Sequence, residues 1–154
     1  MEERQRRERV HACWDWWDGP VSGVVDYEGA PHLFERRFDD EMDEWSNVYG
    51  LITVTRDEFA WLMQRWQIWL DYEAAEDSER GDIWGVLPQD AIRAEELDRR
   101  LDALLSSATE RREVLCLGYE LDRVNRDGVG SRGASVYMLW RENDVSRAPG
   151  RDVV

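Results

Sequence analysis

The chain has 154 residues, 42% hydrophobic and 35% charged, which is one domain's length with enough apolar material for a core and too much for a solvated coil. Thirty-four acids against twenty basic residues give a formal charge of −14, so phosphate backbones and anionic membrane surfaces repel it. Every basic residue is arginine, which removes lysine Schiff-base chemistry, and no apolar run is long enough to span a bilayer.

The charged stretch 1–9 reads as a leader without a signal-peptide core, which places the protein in the cytoplasm as an expectation. From Val10 to Phe38 three short strands are predicted, separated by turns at Asp18-Gly19-Pro20-Val21 and Glu28-Gly29-Ala30-Pro31. The simplest register puts Ala12 beside Tyr27 and His32, Trp14 beside Val25 and Phe34, and Trp16 beside Gly23 and Arg36. One face is then aromatic. The other gathers His11, Cys13, Asp15, Asp26, Glu28 and Glu35 into an acidic face.

An acidic connection, Asp39, Asp40, Glu41, Met42, Asp43 and Glu44, leads to a fourth strand from Trp45 to Val54. Thr55 with Glu58 forms a capping box, and Val54 with Phe59 a hydrophobic staple, so a helix starts there. Its main apolar face carries Phe59, Leu62, Met63, Trp66, Trp69 and Leu70, while Trp61, Ile68 and Tyr72 make a second stripe. That stripe reads either as packing or as a dimer or partner face. Residues 73–89 form a loop whose Ile83-Trp84 and Val86-Leu87 can tuck onto the core, and a second helix runs from Asp90 to Ser107 on a stripe of Ala94, Leu97, Leu101, Leu104 and Ala108. Val114–Leu121 and Ala134–Trp140 form a closing hairpin, with a frayed tail over 144–154.

The expected fold is therefore α+β: a single domain over 10–143, with an antiparallel sheet made of an N-terminal meander plus a C-terminal hairpin, packed with two helices.

Chemistry-bearing patterns are sparse. His11 and Cys13 share a face with Glu28, but His32 projects from the other, so no metal or other cofactor is expected. Asp39-x-Glu41-x-Asp43 lacks the glycine and the terminal glutamate of a calcium loop. Gly128-x-Gly130-x-x-Gly133 is followed by a strand and not a helix, which leaves a loop with Arg123, Arg126 and Arg132 rather than a phosphate cradle. Asp15 and Glu35 flank Val24 at two strand spacings, roughly 9–10 Å, a separation suited to inverting glycoside hydrolysis. No catalytic residue is assigned.

The segments Trp14-Asp15-Trp16-Trp17-Asp18-Gly19-Pro20-Val21-Ser22-Gly23 and Gly29-Ala30-Pro31-His32-Leu33-Phe34-Glu35, with Trp45-Ser46-Asn47-Val48-Tyr49 and Trp66-Gln67-Ile68-Trp69, resemble a family of small acidic bacterial proteins. Asp18, Gly19, Pro20, Gly23, Pro31 and His32 stand at its pattern positions, and the resemblance implies only that the first half is a unit.

Two functional readings follow. In the first, a non-enzymatic acidic module of inhibitor, immunity or antitoxin type binds a basic protein surface through Asp15, Trp17, Asp26, Glu28, Glu35, Asp39, Asp40, Glu41, Asp43 and Glu44, with DNA mimicry as one version. In the second, His32, Asp15 and Glu35 with tryptophan walls form a small-molecule or glycan site or a hydrolase. A homodimer through Trp61, Ile68 and Tyr72 is compatible with both, and neither involves a membrane or direct nucleic-acid binding.

Overall fold

The computed structural model describes residues 7–17, 19–121 and 137–142. Strands β1 (Arg7–Trp16), β2 (Pro20–Tyr27), β3 (Ala30–Asp39) and β4 (Glu44–Thr53) form a meander; helices α1 (Arg56–Ala74) and α2 (Ala91–Ser106) follow, then β5 (Glu113–Leu121) and β6 (Tyr137–Glu142). The sheet is a closed six-stranded antiparallel barrel in the order β1-β2-β3-β4-β5-β6.

Closure corrects the expected open sheet. The β5–β6 hairpin pairs with β4 on one side, Ile52 opposite Glu113, and with β1 on the other, where Arg7, Glu8 and Arg9 face Leu139, Met138 and Tyr137. Those three residues belong to the run read as a solvated leader. Their pairing leaves the sheet without an edge.

Both faces of the meander are buried. Val10, Cys13, Val25, Phe34, Leu51, Cys116 and Met138 fill the barrel, while Ala12, Val24, Leu33 and Ile52 form an outer wall against Leu62 and Trp66 of α1 and Leu104 of α2. The division into an aromatic and an acidic face is overturned by register. Ala12 pairs with Val24 and not with Tyr27, an offset of three residues, and an odd offset exchanges faces. The offset is set at the turn, where Trp16 pairs with Pro20 and not with Gly23; the register shifts on either side of Asp15 cancel before Ala12 is reached. At the next turn Tyr27 pairs with Ala30, and Glu28 (φ 53°) and Gly29 (φ 78°) make a two-residue turn with positive φ at both positions.

The buried polar groups have partners. The Tyr49 hydroxyl donates to the Pro20 carbonyl at 2.9 Å, and Trp140 Nε1 donates to the Asp26 carbonyl at 3.0 Å. Glu8, 5% exposed, accepts from the backbone amides of Glu28 and Gly29, so β1 caps the β2–β3 turn.

The capping box at Thr55 and Glu58 is present. Arg111, ahead of β5, adds a bidentate pair to Glu58 at 2.7 and 2.5 Å and donates to the Thr53 carbonyl, joining the start of the helical insertion to its end. The Arg111 guanidinium, with the Thr55 hydrogen bonds, holds the Glu58 carboxyl at a pKa of about 2. Ala94, Leu97 and Leu104 bury the face of α2, as the heptad-like stripe requires. The glycine-containing segment with Gly128, Gly130, Gly133, Arg123, Arg126 and Arg132, the tail 144–154 and Asp18 lie outside the described residues.

Candidate functional site

Antiparallel connectivity places the β1–β2 and β3–β4 turns at one end of the barrel and the β2–β3 turn at the other. This divides the predicted partner residues. Trp17, Asp39, Asp40, Glu41, Asp43 and Glu44 share one end, with Asp15 and Glu35 on the outer wall beside it. Glu28 lies at the far end, and Asp26 is engaged there by His11, whose Nε2 stands 2.8 Å from its carboxylate.

At the shared end Asp39 accepts from the amides of Glu41 and Met42 at 3.0 and 3.2 Å, which leaves Asp40, Glu41, Asp43 and Glu44 to project. Apolar side chains project with them: Trp17 is 68% and Met42 66% exposed, and exposed Phe38 meets Trp45 edge-on at 5.2 Å. Arg36 fixes the two turns together by donating to the carbonyls of Trp17 (3.1 Å) and Ser46 (2.6 Å).

Next to this end a cleft of about 420 Å³ opens on the outer wall. Asp15, Ser22, Glu35 and Gly50 form one rung across β1–β4, so the two carboxylates flank Ser22 and not Val24. Their Cα atoms are two strand spacings apart, roughly 9–10 Å. Trp14 and Trp45 flank the cleft, and Leu101 and Leu105 of α2 close its far side. Among the described residues neither carboxylate has a hydrogen-bond or ion-pair partner. Arg37 pairs with Glu113 above Gly50, where a Cβ would come 2.5 Å from the Arg37 guanidinium, so the bare backbone makes room for that pair.

Trp14 and Leu101 also line a second cleft of about 290 Å³ between β1, α1 and α2. Its walls are indoles: Trp14, Trp61, Trp66, Trp69 and Trp84, with the Arg65–Asp98 ion pair (2.7 Å) among its lining groups. Trp84 is 80% exposed and leans on Trp69 and Tyr72, with ring centroids at 6.1 and 5.6 Å. The segment is held there by Gly85 (φ 80°), where a Cβ would stand 3.0 Å from the Trp69 ring. Of the loop pairs expected to tuck inward, Val86 and Leu87 do so, while Ile83 and Trp84 face solvent.

The second stripe of α1 is covered within the chain. Ile68 packs with Val86, Ala94 and Leu97, Tyr72 is 6% exposed, and half-buried Trp61 packs against the core and lines the second cleft. His11, Cys13 and His32 diverge: Cys13 lies inside the barrel, and His32 Nδ1 stands 2.8 Å from the Ala30 carbonyl. No group of three or more His, Cys, Asp or Glu positioned to hold a metal occurs among the described residues.

Sequence reasoning does not assign Trp14 or Trp84 to the surface, where both are exposed. For Trp14 the cause is the register offset, which assigned it to the aromatic face. For Trp84 the flanking Gly81 and Gly85, which break regular structure around an aromatic residue, were the available signal.

No family model, curated protein or solved structure matches the chain, so the functional argument rests on this geometry.

Proposed function

We propose that the protein is a non-enzymatic interaction module, of inhibitor, immunity or antitoxin type, that binds a basic surface of a partner protein. One observation carries the reading. Along a strip from the β3–β4 turn through the first cleft to Trp84, projecting carboxylates alternate with accessible rings: Trp17, Phe38, Trp45, Trp14 and Trp84. A surface evolved only for solubility gains nothing from exposed indoles, which raise the risk of aggregation. Aromatic anchors supply affinity, and the surrounding carboxylates speed encounter with a cationic partner. No helix among the described residues is long and apolar enough to cross a membrane, and a cytoplasmic setting belongs to the proposal.

The test is capture from the source organism's lysate at low salt and at about 0.5 M salt, where exposed charges are screened. The expected result is one dominant basic protein, weakened by salt, lost with Trp17→Ala plus Trp84→Ala and retained by Glu28→Gln at the opposite end. Capture that ignores the strip variants, or none at either salt, overturns the reading.

A second reading is favoured by the placement of Asp15 and Glu35 in one cleft with Trp14 and Trp45, which suits a sugar ring stacked between carboxylates. Saturable binding of soluble oligosaccharides, with turnover abolished by Glu35→Gln, would select it over the protein-binding module.

A further inference from the structure

We infer that the cleft between Trp14 and Trp45 is a receptor for one guanidinium group, the side chain of an arginine presented by the partner. The inference rests on the proposed binding role and specifies its chemistry at one place.

Charge sets the ligand's sign. Asp15 and Glu35 both line the cleft and have no partner among the described residues. The neighbouring arginines are committed elsewhere: Arg36 to the Trp17 and Ser46 carbonyls, Arg37 to Glu113, and Arg65 to Asp98. Arg36 also lines the cleft, but its donors are turned to those carbonyls and it forms no ion pair with Asp15 or Glu35, so with Glu113 paired to Arg37 the two carboxylates outnumber the one cation and the lining stays net negative. An anionic ligand is repelled, and a neutral one leaves both carboxylates competing with water.

Shape selects guanidinium over ammonium. An ammonium is a compact, strongly hydrated point charge that sits well against one carboxylate. A guanidinium is flat, stacks on an indole face, and carries five donors on different edges of its plane, which suits two carboxylates that flank Ser22 on one rung of the cleft wall. The molecule uses the same geometry internally, with the Arg80 guanidinium carbon 4.8 Å from the centre of the Tyr72 ring. The adjoining indole-walled cleft of about 290 Å³ offers a place for an apolar side chain next to that arginine in the partner, which a free small cation lacks. This contiguity favours a partner's side chain as the source.

The test titrates n-butylguanidinium, n-butylamine and neutral n-butylurea into the full chain at low salt, read at the assigned indole Nε1–H resonances. Expected is saturable movement of Trp14 and Trp45 with butylguanidinium, binding weaker by about fivefold or more with butylamine, and none with butylurea. Asp15→Asn plus Glu35→Gln, both at exposed positions, should weaken butylguanidinium by about tenfold or more without changing the thermal midpoint. Acetyl-Gly-Arg-Trp-amide should bind more tightly than butylguanidinium. Equal binding of amine or urea, indifference to the double variant, or movement confined to other indoles overturns the site. A peptide weaker than butylguanidinium overturns the assignment to a partner's side chain. If butylguanidinium fails while strip variants still abolish capture of the basic protein, the inference falls and the binding role stands; if capture fails as well, both fall.

Discussion

Replacing Gly23 with alanine is the most direct test of the β1–β2 register. A Cβ at Gly23 would lie 2.0 Å from the Ala12 carbonyl oxygen, 2.8 Å from its carbon and 2.9 Å from Cys13 Cα. All three are backbone atoms of a strand buried on both faces, so relief requires moving β1 against the barrel interior on one side and α1 on the other. Overpacking ordinarily costs about 1–3 kcal/mol, and a clash with buried backbone belongs at or above the upper end. Gly50→Ala supplies the contrast. Its Cβ would meet the Arg37 guanidinium at 2.5 Å and the Glu113 carboxylate at 2.6 Å, the far ends of partly exposed side chains that can swing away. Losing such a pair costs about 0–1 kcal/mol, and the reduced freedom of the unfolded chain returns about 0.4–1 kcal/mol. Gly118→Ala should fall between them, because its Cβ would meet the rings of half-buried Trp140 and buried Tyr49 at 2.6 and 2.8 Å, which are confined but are not backbone. Urea midpoints at constant m-value measure all three. A Gly23→Ala protein no less stable than Gly50→Ala would refute the register and the closed barrel built on it.

Arg111→Met should cost about 1–2 kcal/mol at pH 7, a solvent-discounted value for a charge-assisted bidentate pair. The folded-state pKa of Glu58 is lowered from 4.5 to about 2, so the contribution of this pair is full above about pH 4.5 and fades as pH falls toward 2. The stability gap between wild type and variant should therefore narrow between pH 5 and pH 2; a constant gap across that range in urea titrations would count against the tie. Glu28→Asn should stabilise by about 0.5 kcal/mol, because Glu28 at φ 53° precedes Gly29 at φ 78° and Asn-Gly is the preferred pair for such a turn; a lower thermal midpoint would contradict the turn geometry. Trp66→Ala should cost about 3–5 kcal/mol, because Trp66 is 8% exposed between the outer wall and α2, and a loss under 1 kcal/mol would show that the helical layer is not packed there.

The element boundaries were legible because their signals are local: a capping box at Thr55 and Glu58, turn residues at 28–29, a period of 3.6 through Ala94, Leu97 and Leu104. Closure was not, because it depends on Arg7, Glu8 and Arg9 pairing with residues of β6 more than a hundred positions away, in a run whose composition resembles a solvated terminus. Nor does the sequence mark that the β1–β2 turn sets Trp16 opposite Pro20, and that offset reversed the faces. One available signal went unused. Apolar doublets recur in four successive strands: Ala12-Cys13, Val24-Val25, Leu33-Phe34 and Leu51-Ile52. A strand with one wet face alternates, whereas a doublet requires cover on both sides. Cys13, Val25, Phe34 and Leu51 line the barrel, and Ala12, Val24, Leu33 and Ile52 face the helices.

The turn-forming positions of the first two hairpins are engaged in folding. Gly19 adopts φ 122° and its carbonyl accepts from the Trp17 amide at 2.9 Å; Pro20 opens β2 and accepts from Tyr49; Gly23 lies against Ala12; Pro31 pairs with Asp26; His32 stands against the Ala30 carbonyl. None of these turn positions lines either cleft, whereas Trp14, Asp15, Ser22, Phe34 and Glu35, on the strands between them, line the acidic one. Of the groups accessible to a partner, Trp14, Asp15, Glu35 and Trp45 stand on the strands beside those turns, and Trp84 stands on the segment after α1. On the proposed function, the turn positions hold two hairpins while the strand residues beside them set which basic surface is recognised. A chain sharing only those turn positions would then share the hairpin geometry and not the partner, because stability and recognition draw on different side chains of the same hairpins.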